Sequence, residues 1–400
     1  MEEIKRLYKY IKEHLKIPDQ IILQSATGPE VKVGGRNILM FGSYNYLGLA
    51  NMECIRHAAV EKINSYGVGS GGVRLLTGTM DIHCELEALV AKFTGHEDCL
   101  TIASGYGANV GVIPGVINLM GFGKSFFARK AVIFSDEFNH ASIVDGCKLS
   151  VAEIVIYGHN NIQDLERKIA KYKKHRKLIV TDGVFSMDGD IAPLGDILEL
   201  AKSYGALTMV DDAHAFGVLG DTGAGTAEYF HQKGRVDINM GTFSKGIGVS
   251  GGFISGKSDL IDYLRLACRS YMFSDSLSPA IVGAVIAAIN FIKTNVTILK
   301  DLQEKSDYFR HALNQQGYHT FNSKTQVVPL FVGDEIKSLD FARRIYNAGV
   351  FAPAIRWPAV PKNSARIRFA ICASHSYEQI DRALEVVLHV GSALGLKRSS

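Results

Sequence analysis

Three segments of this chain end apolar runs in residues that could act together chemically. Met209-Val210-Asp211-Asp212-Ala213-His214 delivers two carboxylates and an imidazole, and Thr181-Asp182-Gly183-Val184-Phe185-Ser186-Met187-Asp188-Gly189 delivers further acids and a hydroxyl. Gly241-Thr242-Phe243-Ser244-Lys245-Gly246 follows the candidate strand Val236–Met240 and sets a lysine among hydroxyls and glycines. Singly, each has a plain structural reading: an aspartate capping a strand-end turn, or a solvated lysine. Together they imply more. Hydroxyls and open backbone amides suit a phosphate, and a lysine beside them suits an aldehyde. With an acidic strand end nearby, the ligand they describe is pyridoxal 5'-phosphate (PLP).

The chemistry of that cofactor explains why these residue types are needed. Removing the Cα proton of an amino acid requires an electron sink, which a protonated pyridine ring supplies. A carboxylate beside the ring nitrogen keeps it protonated by opposite-charge stabilisation. A lysine holds the aldehyde as an imine and, once displaced by substrate, becomes an amine poised as a base. An aromatic or imidazole face stacks on the ring. One other motif is set aside. Gly67-Val68-Gly69-Ser70-Gly71-Gly72 satisfies G-x-G-x-x-G, but the dinucleotide fingerprint needs a strand before it, and Ile55–Tyr66 has helical periodicity. It is read as a flexible turn near a ligand.

The elements that must position these residues alternate. Ala131–Phe134, Lys177–Thr181, Leu207–Val210 and Gly252–Ile254 read as buried strands, with helices over Leu165–Tyr172 and Leu194–Tyr204. That alternation predicts a mostly parallel sheet with helices on both faces, and ligands at the carboxyl ends of its strands. From about residue 300 the texture becomes α+β: a helix over Leu299–Gln315, a strand Val327–Val332, a helix Leu339–Ala348, a strand Ala365–Ile371 and a closing helix Tyr377–Leu394. The expected division is an N-terminal helix and arm (1–50), a large cofactor-binding α/β domain (51–295) and a smaller α+β C-terminal domain (296–400).

Composition narrows the function. With 400 residues, 47% of them hydrophobic, and a net charge of only +4, the chain builds a large core and has no bulk charge with which to bind nucleic acid. Cys54, Cys84, Cys99, Cys147, Cys268 and Cys372 show neither C-x-x-C nor zinc spacing, so no metal is expected and the thiols read as reduced and mostly buried, in a cytoplasmic protein. No signal peptide is read at the start. Met1–Lys16 is an amphipathic helix pattern with a basic polar face, expected to pack on the body or a partner subunit, with weak membrane-surface association as the sharper alternative. Ile281–Ile292 is too short to span a bilayer and reads as a buried helix.

The combination D-G-V-F-S-M-D-G, V-D-D-A-H and G-T-F-S-K closely resembles the α-oxoamine synthases, a branch of the fold-type I PLP-dependent transferases, and the similarity runs from about Leu39 to Gly395. The resemblance implies decarboxylative condensation of a small α-amino acid with an acyl-CoA, giving an α-amino ketone, CoA and CO2. By motif, it implies that Lys245 holds the cofactor as a Schiff base and removes the Cα proton, and that Asp211 pairs with the ring nitrogen. His214 and Ser186 would bond the phenolic oxygen, and His140, in F-N-H-A-S, would stack over the ring. Gly105 and Tyr106, in A-S-G-Y-G-A-N, would meet the phosphate with Thr242. Ser274 and Ser276 would reach it from the neighbouring subunit, implying a homodimer with shared sites. Arg368, the second arginine of A-R-I-R, with Asn45, would bind the substrate carboxylate.

Substrate choice within the family divides the motifs. Leu39–Leu49, Gly78–Glu87, Tyr157–Asn161 and M-G-T-F-S-K are most similar to bacterial serine palmitoyltransferases, making serine with a long-chain acyl-CoA the leading expectation. S-M-D-G-D-I-A-P-L (Ser186–Leu194) and A-I-R-W-P-A-V-P (Ala354–Pro361) lean toward 8-amino-7-oxononanoate synthase, which uses alanine and a pimeloyl thioester, and glycine C-acetyltransferase. The loop Gly121–Lys130 is longer and more basic and aromatic than the family's, suiting a CoA tail, an acyl-carrier protein or a membrane. A PLP aminotransferase and a non-catalytic partner subunit are the rivals from other classes; the second normally lacks the lysine that is present here.

Overall fold

Strands that are apolar at every position, such as Ala131-Val132-Ile133-Phe134, are satisfied only where both sheet faces are covered. The computed structural model, which describes residues 1–15, 20–120 and 130–396, covers them so. An N-terminal hairpin, β1 (Glu30–Val33) and β2 (Arg36–Met40), precedes β3 (Asp98–Ile102), β4 (Ala131–Asp136), β5 (Glu153–Tyr157), β6 (Arg176–Asp182), β7 (Leu207–Asp211), β8 (Ile238–Thr242) and β9 (Gly252–Gly256). These last seven form one sheet in the order β3-β9-β8-β7-β6-β4-β5. Every residue of β4, β8 and β9 is buried.

Four of the pairings in that sheet are parallel, and β9 runs antiparallel to both β3 and β8. Six strands therefore point one way and only β9 is reversed. This corrects the expectation that Gly252–Ile254 joins the parallel set. The connection 243–251 is too short for a crossover helix, so β8 and β9 can only return antiparallel. A consequence matters for the site: the start of β9 lies at the same edge as the carboxyl ends of β3 and β8, with Gly252 opposite Ile102 and Thr242.

Helices α1 (Glu2–Leu15), α2 (Glu53–Tyr66), α3 (Asp81–Thr94), α4 (Gly105–Asn118) and α5 (Ala141–Lys148) occupy the first part of the chain. On α1, Ile4, Leu7 and Tyr8 stay exposed, so that face does not pack on the body of its own chain. The apolar segment Ile281–Ile292 lies within a buried helix, Pro279–Thr294, that packs against α2. Each large aliphatic side chain it buries contributes about 1.5–3 kcal/mol. No single helix among the described residues is long and apolar enough to cross a membrane.

The C-terminal part carries β10 (Val327–Gly333), β11 (Val350–Phe351), β12 (Ala354–Ile355) and β13 (Ala365–Ala370). β10, β13 and β12 form an antiparallel sheet, while β11 pairs in parallel with β2. The N-terminal arm is thus tied by backbone hydrogen bonds to the C-terminal region. One apolar cluster joins Phe41 of the arm, Phe216 and Phe253 beside the large sheet, and Phe309 and Phe369 of the C-terminal part. The helix expected over Leu165–Tyr172 forms three residues earlier, at Ile162–Ile169, because Asn161 caps it by accepting from the Asp164 amide. All six cysteines are free, four of them buried, with Cys54 and Cys84 exposed.

Candidate active site

A cavity of about 400 Å3 opens at the sheet edge where β3, β6, β7 and β8 end. That is the place where a parallel sheet exposes the residues following its strands. Its lining includes Gly105, Tyr106, His140, Ser186, Asp211, His214, Thr242 and Lys245. The sequence expectation brought these eight together from five separate segments.

One end of the cavity is the start of α4. Ser104 caps that helix, its hydroxyl accepting from the Gly107 amide at 3.0 Å. The Gly105 and Tyr106 amides belong to the first turn, where no intrahelical acceptor exists, so they and the helix dipole suit a phosphate. β9 makes room for this helix start: a Cβ on Gly252 would come within 2.8 Å of the Gly105 nitrogen. Opposite, the Thr242 hydroxyl donates to the Gly251 carbonyl at 2.8 Å and lies 2.9 Å from the Ser244 hydroxyl.

The other end is acidic. Asp211 is buried; one of its oxygens accepts from the Ala213 amide (2.9 Å) and the other from Asn109 Nδ2 (2.7 Å). Asp182, one strand away, accepts from the His140 amide at 3.0 Å. Burial, with Asp211 close by, pushes the Asp182 carboxyl well above its ordinary range. Asp212 turns the other way, toward the Thr226 amide at 3.1 Å, and burial raises it to about 6. It is a structural cap beneath the site.

Between the two ends Lys245 Nζ lies 2.9 Å from His214 Nε2, and His214 Nδ1 lies 2.7 Å from the Tyr46 hydroxyl. Burial pushes the lysine down to about 8; Asp211 and Asp182 oppose the shift and Arg368 adds to it. Burial, together with the positive charges of Lys245 and Arg368, holds His214 well below the usual imidazole range, so it is neutral. An amine that loses its proton near pH 8, beside a neutral imidazole, becomes a nucleophile for an aldehyde at a pH where a solvated lysine stays charged.

Arg366 and Arg368 have different fates. Arg366 is ion-paired with Asp188. Arg368 has no carboxylate partner among the described residues; it donates to the Tyr44 hydroxyl at 2.6 Å and the Ser186 carbonyl at 3.3 Å. Asn45 is buried with its Nδ2 lacking an acceptor, while its Oδ1 takes the Ala50 amide at 3.2 Å. A guanidinium without its carboxylate and an amide donor without its acceptor suit an anionic ligand.

Arg368, Asn45, Ser274 and Ser276 do not line the cavity itself. The Ser276 hydroxyl donates to the Gly72 carbonyl at 3.3 Å and Asp275 bridges Val73, so the 274–276 segment packs on the glycine-rich turn of its own chain. That turn follows helix α2 rather than a strand. Tyr46, Asn109 and Ser142 were missed by sequence reasoning, although all three lie in segments it quoted. Polar side chains inside otherwise apolar stretches were the available signal. The loop Gly121–Lys130 lies, except for Lys130, outside the described residues.

Residues 36–387 match the family described as aminotransferase class I and II. The chain is 44% identical over 398 residues to the 8-amino-7-oxononanoate synthase of Thermoanaerobacter pseudethanolicus, covering 99% of this chain and 96% of that one. It is also 44% identical over 398 residues to the enzyme of the same name from Petrotoga mobilis, covering 97% and 99%. A high-resolution structure of SPT with its PLP internal aldimine superimposes with a TM-score of 0.91 at 30% identity, covering 99% of each chain. The Sphingomonas wittichii serine palmitoyltransferase gives 0.90 at 30%, covering 99% and 98%. The chain belongs to the aminotransferase class I and II family and, within it, to the α-oxoamine synthases of fold type I.

It is accordingly a PLP-dependent acyltransferase. The cavity fits the cofactor: amides and a hydroxyl at one end, a buried carboxylate at the other, an amine between. The leading expectation of a serine palmitoyltransferase is not favoured, because the relatives at 44% identity carry the oxononanoate name while the palmitoyltransferase structures stand at 30%. Of the motifs behind that expectation only M-G-T-F-S-K lines the cavity, where it serves the cofactor; Leu39–Leu49, Gly78–Glu87 and Tyr157–Asn161 lie outside the lining, so none of them reads the acyl chain there.

Proposed function

We propose that this enzyme joins alanine to a pimeloyl thioester. A bond forms between the amino-acid Cα and the thioester carbonyl carbon, the thiol leaves, and the alanine carboxylate departs as CO2, giving 8-amino-7-oxononanoate. The observation that carries this reading is the near-complete alignment at 44% identity with two enzymes of that name. The segments Ser186–Leu194 and Ala354–Pro361, similar to that branch, support it.

Bound PLP supplies the electron sink that stabilises negative charge at Cα. In this reading Lys245 takes the aldehyde and then holds the Cα proton at Nζ, a task suited to an amine titrating near 8. Asp211 would meet the ring nitrogen, His140 would cover the ring, and His214 and Ser186 would bond the phenolic oxygen. The Gly105 and Tyr106 amides and the Thr242 hydroxyl would hold the phosphate. Arg368 and Asn45 would orient the substrate carboxylate. Ser274 and Ser276 reach the phosphate of a second subunit, so the working unit is a homodimer. Residues 51–295 then bind the cofactor, while 1–50 and 296–400 bring Asn45 and Arg368 to the substrate.

The test is a matrix of alanine, glycine and serine against pimeloyl-, acetyl- and palmitoyl-CoA, read by thiol release. Fastest release with alanine and pimeloyl-CoA is expected. Fastest release with serine and palmitoyl-CoA overturns the reading in favour of a palmitoyltransferase, and keto-acid formation without thiol release makes the chain an aminotransferase.

A further inference from the structure

Asn109 is fully buried on α4, and both hydrogens of its Nδ2 are committed. One is donated to Asp211 at 2.7 Å, the other to the Ser142 hydroxyl oxygen at 2.8 Å. The opposite amide orientation would set an oxygen against the Asp211 carboxylate, so the donor assignment follows from charge alone. Ser142 therefore accepts from Asn109, which leaves its own hydrogen available to the atom 2.7 Å away, His140 Nδ1. The Ser142 backbone amide also donates to that nitrogen, at 3.3 Å. Two donors converge on Nδ1, which must carry a lone pair. Burial and the charge of Lys245 hold His140 below the ordinary imidazole range, with Asp211 opposing them, so its single proton sits on Nε2.

The packing of two helices makes this chain of bonds possible. Ser142 and Gly146 lie one turn apart on α5, and a Cβ on Gly146 would come within 2.7 Å of the Asn109 carbonyl and 3.0 Å of Ile113 Cδ1. Only glycine lets α5 approach α4 closely enough for the serine to reach the buried amide.

We propose that Asn109 and Ser142 are positioning residues: they link Asp211 to His140 through one unbroken hydrogen-bond chain, fixing the His140 plane and its Nε2–H tautomer. The inference rests on the reading above, in which Asp211 meets the ring nitrogen and His140 covers the ring face. The carboxylate at the edge of the cofactor and the imidazole over it are then a single preorganised unit, set by two residues that need touch neither cofactor nor substrate.

The experiment has two arms. In the cofactor-free protein, 15N NMR of His140 reports the tautomer directly. The wild type should show Nδ1 as the unprotonated nitrogen, Ser142→Ala and Asn109→Ala should shift His140 toward a mixture, and Ser142→Thr, which keeps the hydroxyl, should restore the wild-type pattern. In the loaded enzyme, each alanine variant should bind PLP about tenfold or more weakly, the scale of losing a charge-assisted hydrogen bond, and the double variant should lose less than the product of the two. Thermal melts of the same variants establish that they fold. An unchanged His140 tautomer in Ser142→Ala, or strictly multiplicative losses of PLP affinity, overturns the chain. If the tautomer result holds but no thiol is released from any acyl-CoA, it is the functional reading that fails.

Discussion

Burial turns Lys245 from a solvated cation into a reagent. A water-exposed lysine titrates near 10.4, whereas here desolvation brings the value to about 8 despite two nearby carboxylates. The rate at which the cofactor-free protein traps pyridoxal phosphate at this residue should therefore rise through a midpoint near 8; a midpoint in the ordinary lysine range would contradict the burial argument. Asp211 carries the complementary role. Asp211→Asn should retain PLP but lose turnover about a hundredfold or more, the scale of removing one preorganised electrostatic contact, because a neutral amide does not keep the ring nitrogen protonated. Stopped absorbance assays on the loaded variant check both halves. Lys245, Asp211 and His214 were legible in the sequence because each ends an apolar run, where a charged residue demands an explanation. Tyr46, Asn109 and Ser142 were not. Their importance comes from partners far away in the chain, and no spacing rule connects Asn109 to Asp211.

Elements position these residues, and two contacts between elements can be tested. The first is the passage of α4 over β9. Gly252→Ala places a methyl group within 2.8 Å of the Gly105 nitrogen, which pushes the helix start off the sheet edge; PLP affinity should fall at least about tenfold, as expected for disturbing charge-assisted bonds to the phosphate, and unchanged affinity would remove the helix start from phosphate binding. The second is His159, whose two nitrogens lie 3.0 Å from Asp136 at the end of β4 and 2.8 Å from Asp190 after β6. Phe138, two residues before His140, stacks on its ring with centroids 4.6 Å apart. Burial opposes the charge, but the bonds to the two carboxylates outweigh it and raise His159 to about 10. A folded value above the unfolded one of about 6.5 means the stabilisation is complete below that pH and lost as pH climbs through 10. His159→Gln should therefore cost about 1–3 kcal/mol in urea unfolding at pH 6 and much less at pH 10.5; an equal difference at both would contradict the ion-paired state. Most elements were visible as apolar runs. The reversal of β9 was not, because its composition matches that of its parallel neighbours and only the short connection 243–251 shows the direction.

At the scale of the molecule, one apolar core runs from the N-terminal arm through the large sheet to the C-terminal helices, and β13's Arg368 reaches the carbonyl of Ser186, which lines the cavity. That architecture was readable as a fold class because periodicity and glycine-bearing strand ends recur along the whole chain. The acyl substrate was not, because residues around the cofactor are common to every reaction the fold supports; whole-chain identity is higher to enzymes of the oxononanoate name than to the palmitoyltransferase structures. The chemistry of the site depends on a single amine, Lys245 in the turn after β8, capturing an aldehyde inside the cavity. The direct measurement is borohydride reduction of the PLP-loaded protein followed by peptide mapping. A phosphopyridoxyl group on Lys245 alone is the predicted result; a group on any other lysine, or none, would contradict it.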